Sequence, residues 1–122
     1  MAVAALKAIL PDTHSVSQIV HDWYVSLAQL ELDCRKAGED DAKNEGAIER
    51  DERRTDALMT RLEAALPVSI NEIGDLIHLA RELMKHGCHD PEQVKLILRK
   101  ASDGCCEQHK RTWPDYVPAN SV

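Results

Sequence analysis

Phenylalanine is absent from this chain, and two Trp and two Tyr are its only aromatic residues. A β-sandwich draws on aromatic and β-branched strands, so this composition argues against one. Leu, Ile, Val, Ala and Met are left to fill the core, which suits close packing of helices. No stretch approaches the roughly 20 apolar residues of a membrane span. Proline is missing from residues 12–66, so nothing in that half forbids long helices. There is no phosphate-binding glycine loop, no GxGxxG and no HExxH pattern. An excess of basic residues is also lacking. The formal net charge is −6, and residues 1–66 carry −5 of it against −1 for residues 67–122. A broad electrostatic footprint for nucleic acid is therefore disfavoured.

What is present is periodicity. Val16, Val20, Trp23, Leu27, Leu30, Cys34 and Ala37 recur at alternating steps of four and three. That spacing predicts a long helix burying one stripe against a partner. Ser15, with Asp12 and Thr13 as competitors, is its N-cap candidate. A second arm follows, with apolar residues gathered at Leu58, Met59, Leu62 and Leu66. Two turns compete. Reversal near Gly38 sets Thr55 opposite Trp23 and Glu49 opposite Leu30. Reversal near Asn44–Gly46 sets Leu58 opposite Leu30 and Leu62 opposite Leu27. The second matches apolar to apolar and is the expected one. It leaves Gly38 inside the first helix, at about 1 kcal/mol relative to Ala. Residues 35–56 hold six basic and eight acidic side chains, which points to a solvated hairpin tip.

Pro67 stops the second arm, and Ser69-Ile-Asn-Glu72 has the residue types of a capping box. A third helix is expected with Ile70, Ile73, Leu76, Ile77, Ala80, Leu83 and Met84 on one broad face, closed by Gly87. Asp90-Pro91 opens a fourth, Asp as N-cap and Pro in the first turn. Its buried face is Val94, Ile97, Leu98 and Ala101, and Asp103-Gly104 reads as its end. The expectation is thus a single all-α domain over 1–122. Residues 1–11 form a short N-terminal segment and 15–66 a long antiparallel hairpin. Two shorter helices over 69–102 pack on its apolar end, and 112–122 is an extended tail pinned by Trp113 and Tyr116.

The constellations with chemical potential are few. His86, Cys88 and His89 precede the fourth helix, and Cys105, Cys106 and His109 follow its expected end. Zinc takes such ligands. However, a helix of sixteen residues at ~1.5 Å each sets the two groups roughly 20 Å apart. Cys105 and His109, at i,i+4, are left as a metal alternative with two ligands, and no cofactor is expected. The adjacent pair Cys105–Cys106 is strained for a mutual bond, and all four cysteines are read as reduced thiols of a cytoplasmic protein. Met1–Leu10 lacks the flanks of an export signal. His21 and Asp22 are neighbours in sequence and point about 100° apart on a helix, so they make a poor acid–base pair. A helix-turn-helix alternative would set Lys95, Arg99 and Lys100 against phosphate, but the turn is misplaced for the DNA-reading motif and nucleic acid is not the expected partner.

The order of features resembles small bacterial helical-hairpin proteins, some prophage-borne, that carry no assigned activity. The resemblance runs over residues 16–84 and rests on Trp23 early in a long helix, a charged middle, and the passage LMTRLEAALPVSINEIGDLIHLA at 58–80. It implies a helical hairpin and no catalytic residues. The functional expectation is a non-enzymatic protein–protein interaction or adaptor protein of the bacterial cytoplasm, working as a homodimer. The surface expected to meet a partner is Ile19, Trp23, Val25 and Leu32 on the first helix, with Glu49, Arg50, Arg53 and Arg54 on the second.

Overall fold

Four helices make up the computed structural model, which describes residues 15–86 and 90–115. They are α1 (Val16–Ala37), α2 (Asp41–Glu63), α3 (Ile70–His86) and α4 (Pro91–Thr112), with no strand among the described residues. Residues 1–14, Gly87, Cys88 and His89, and Tyr116 with the residues after it lie outside the described residues.

Each helix starts on a side chain that satisfies its free amides. The Ser15 hydroxyl accepts from Gln18 N–H, Asp40 from Lys43 N–H and Asp90 from Glu92 N–H, with Pro91 in the first turn of α4. Ser69 accepts from Glu72 N–H at 3.2 Å, and the Glu72 carboxylate reaches back to Val68 N–H at 2.9 Å.

The hairpin turns at Gly38–Asp40, not at Asn44–Gly46. Gly38 caps α1 with φ 58°, a left-handed conformation that a side chain resists. Asn44 lies in the first turn of α2 and donates to Gly38 O and Asp40 O, closing the turn from the far side. The apolar-matching rule failed because the seam contains a polar layer. Ser26, almost fully buried, donates to Asp51 at 3.3 Å, and Arg54 Nε donates to the same hydroxyl at 3.3 Å. Thr55 is buried beside them with its hydroxyl returned to the carbonyls of Asp51 and Glu52.

The core joins Val16, Ile19, Val20 and Trp23 of α1 to Leu58 and Leu62 of α2, Ile73, Leu76, Leu79, Ala80 and Leu83 of α3, and Val94, Leu96, Ile97 and Ala101 of α4. Helix α1 lies against α2 and α3, and α4 lies against the same two. The backbones of the diagonal pairs do not approach one another among the described residues. Ser17 meets Glu72, and Tyr24 meets His78, so α1 and α3 run parallel. Arg99 and Lys100 meet Glu63 while Gln93 shares a cleft with Thr55, so α2 and α4 also run parallel. The link from α2 to α3 therefore crosses the base of the body on the diagonal.

That crossing explains the true length of α4. Helix α4 runs on through Asp103-Gly104 to Thr112 and, at 22 residues, equals α1, so it is not one of two short helices. Gly104 is buried because the linker passes over it. A Cβ there would overlap the Pro67 ring and stand 3.0 Å from Ile73 Cγ1. The glycine that reads as a stop is a space for the crossing chain.

Candidate functional site

The hairpin beyond Leu30 and Asp51, residues 31–50, forms an arm. Ala37 and Ala47 are its only buried side chains. Several residues expected at a partner surface are placed elsewhere. Ile19 and Trp23 are 0% exposed and belong to the core, so they offer no surface. Trp23 lies on the stripe whose spacing already predicts burial, whereas Ile19, off that stripe, is covered because α1 buries two adjoining edges, one against α2 and one against α3. Val25 and Leu32 stay 53% and 45% exposed, and Ile48, which the sequence did not single out for a site, is 50% exposed.

Charge on α2 is divided. Arg50, Arg54 and Arg61 form one edge, and all three are turned to α1. Arg50 lies 3.9 Å from Asp33, Arg54 holds Ser26 and stands 3.8 Å from Asp51, and Arg61 donates to Asp22 at 2.8 Å. Arg50 and Arg54, expected to meet a partner, both face α1, Arg54 partly buried there and Arg50 still exposed. Arg53 and Glu49 remain exposed. On the other side of the buried face Glu45, Glu49, Glu52 and Asp56 follow one another at steps of four, three and four. All four are exposed, and among the described residues none of their carboxylates has a hydrogen bond or ion pair.

Beside this acidic edge, where the arm leaves the four-helix body, lies a cleft of about 630 Å³. Leu30, Cys34, Ile48 and Thr55 give it apolar walls and a thiol. Asp51, Glu52, Asp56 and Asp90 supply four carboxylates, and Gln93 completes the lining. Burial pushes the Asp51 carboxyl above its ordinary range, only partly offset by the Ser26 hydroxyl and Arg54. A second, shallower groove on the outer side of the hairpin is lined by Val25, Gln29, Ala57 and the Asp22–Arg61 pair. Burial raises the Asp22 carboxyl, but its hydrogen bonds to Arg61 and Gln18 outweigh that and leave it lowered.

The remaining candidates are separated from these clefts. Lys100 Nζ donates to the carbonyls of Glu63 and Ala65 at 2.7 and 3.0 Å, closing the end of α2, and Arg99 pairs with Glu63. Lys95 pairs with Glu92 at 3.1 Å. The three do not present one free cationic face. Cys105 and His109 are exposed on α4 beside Ile70, Gln108 and Trp113. Among the described residues no group of three or more His, Cys, Asp or Glu is placed to hold a metal ion. None of the helices described is long and apolar enough to cross a membrane. Comparison with protein-family models, curated proteins and solved structures finds no match to this chain.

Proposed function

We propose that this chain is a non-enzymatic protein–protein interaction or adaptor protein of the bacterial cytoplasm, with α3 and α4 packed on the apolar end of the hairpin to anchor a projecting arm. The observation that carries the reading is the arm and its root. Leu32 and Ile48 of the arm are about half exposed, and so is Val25 on the outer edge of α1 below it. Isolated surface apolar residues are ordinary, but here they line helical edges beside unpaired charge. Val25 and Leu32 stand seven residues apart on one edge of α1, the spacing by which a helix pairs with a second copy of itself. The homodimer is the form of the reading that uses this edge.

Site-specific photo-crosslinking in the native cell tests the proposal. A photoreactive residue at Val25, Leu32 or Ile48 is expected to give discrete protein adducts, and one at exposed Asp103 of α4 none. An adduct of doubled mass containing only this chain identifies the homodimer. Absence of arm-specific adducts rejects the interaction reading.

A further inference from the structure

We propose that the cleft at the root of the arm is a docking groove for a basic amphipathic helix of a partner protein. This rests on the reading of the arm as a protein-binding element and adds the chemistry of the partner. Three features converge. The cleft is concave and its walls at Leu30 and Ile48 are apolar, with Ile48 half exposed. Its rim carries Glu52, Asp56 and Asp90, and the acidic line continues up the arm through Glu49 and Glu45. Arg50, Arg54 and Arg61 of α2 are engaged on the opposite side by Asp33, Ser26 and Asp22, which leaves Arg53, one turn on from Glu49, as the α2 cation beside that line against its four carboxylates.

Charge complementarity selects the occupant. Carboxylates at steps of four, three and four span about 16 Å of helix axis, the distance over which Lys or Arg residues at the same steps recur on a helix lying alongside. An apolar residue on the adjoining edge of that helix would enter between Leu30 and Ile48. The acids would steer the encounter, and the apolar contact would set how long it lasts. An extended basic strand repeats on one face about every 6.7 Å, so four of its side chains span about 20 Å and drift out of register with these carboxylates.

Fluorescence anisotropy with synthetic peptides decides the matter. The probe is a labelled helical peptide of roughly 18 residues, with Leu on one edge and Lys at i, i+4, i+7 and i+11 on the next. It is expected to bind the full-length protein saturably at one per chain. The double variant Glu52→Gln/Asp56→Asn and the single variant Ile48→Ser are each expected to weaken binding about tenfold or more. All three residues are exposed, so the variants are expected to keep the wild-type helix content by circular dichroism. Val25→Ser, on the outer groove, is expected to leave binding unchanged. The cleft assignment is overturned if the same peptide with Glu in place of Lys binds as well. It is also overturned if only Val25→Ser weakens binding, which would leave the arm as a protein-binding element with a different site. Full displacement by spermidine at matched charge would make the cleft a small-cation site and equally reject a helix. Absence of saturable binding by the Lys peptide rejects the groove, while the crosslinking of arm positions still reports independently on whether the arm binds protein.

Discussion

Glu72 shows how much one side chain organises. Its carboxylate accepts from Ser17 N–H and the Ser17 hydroxyl, each at 2.9 Å, and from Val68 N–H at 2.9 Å. It is buried at 7% exposure in the first turn of α3, beside the first turn of α1. Two parallel helices bring two positive ends together there, and one buried negative charge serves both. Burial by itself would raise the Glu72 carboxyl, but its hydrogen bonds outweigh that and hold it below the ordinary value of 4.5. Hydrogen bonds to a charged group contribute about 1.5–3 kcal/mol, so Glu72→Gln is expected to cost about that much stability at neutral pH. The sign with pH follows from the lowered value. The unfolded chain takes up the proton first, so the contribution is complete above the ordinary glutamate range and is lost as pH falls through the depressed folded value. Urea unfolding of wild type and Glu72→Gln should therefore differ most near neutrality and converge in acid. A gap that stays constant into acid would mean that the charge is not what Glu72 contributes. The capping role of Glu72 was legible from Ser69-Ile-Asn-Glu72, but its hold on Ser17 was not, since 55 residues separate them.

At the scale of elements, the two glycines of the hairpin report which one makes the turn. Gly38 has φ 58° and ends α1, whereas Gly46 lies within α2, where an added Cβ would meet only Arg50 Nη1 at an ordinary 3.5 Å. Gly38→Ala is expected to destabilise by about 1 kcal/mol, because a Cβ is strained in the left-handed region. Gly46→Ala is expected to stabilise by about 0.5–1 kcal/mol, through a less flexible unfolded chain and a better helix former. Denaturant midpoints of the two variants read both signs, and a turn at Asn44–Gly46 would reverse them. The helices themselves were legible because their signals are local: the seam from Val16 to Ala37, the caps at Ser15, Ser69 and Asp90, and Pro67 between α2 and α3. The turn was not, because the rule of matching apolar to apolar has no way to see Ser26, Asp51 and Arg54 satisfying one another across the seam. The end of α4 was misread for a similar reason. Gly104 carries the residue type of a helix stop, and its purpose appears only when Pro67 arrives from another part of the chain. Sequence read the candidate surface least well. Ile19 is apolar and off the seam like Val25 and Leu32, and only the approach of α3 distinguishes the buried edge from the bare one.

The whole molecule is built as a gradient from base to tip. At the base, the starts of α1 and α3 bring like dipole ends together and Glu72 relieves the meeting, while the terminal carbonyls of α2 are met by Lys100 from the middle of α4. The core gathers there, from Trp23 and Leu62 to Leu76 and Leu79. In the arm the buried side chains shrink to Ala37 and Ala47. The cross-helix tie from Arg50 to Asp33, at 3.9 Å and partly exposed, is of a kind that contributes about 0–1 kcal/mol. Apolar burial contributes roughly 25 cal/mol per Å², so two alanines leave the arm with little of the stability that the base enjoys. Backbone amides of residues 31–50 are therefore expected to exchange with solvent by local opening, much faster than those around Trp23, Leu62 and Leu76–Ala80, which should open only with global unfolding. Hydrogen exchange read by mass spectrometry at two protein concentrations checks this. Fast arm exchange at low concentration that slows as concentration rises would show a second copy covering the arm, while fast exchange at both would leave the arm free for a different partner. Arm amides as protected as the core at the lowest concentration would overturn the gradient, because nothing within the described chain buries enough of the arm to hold it.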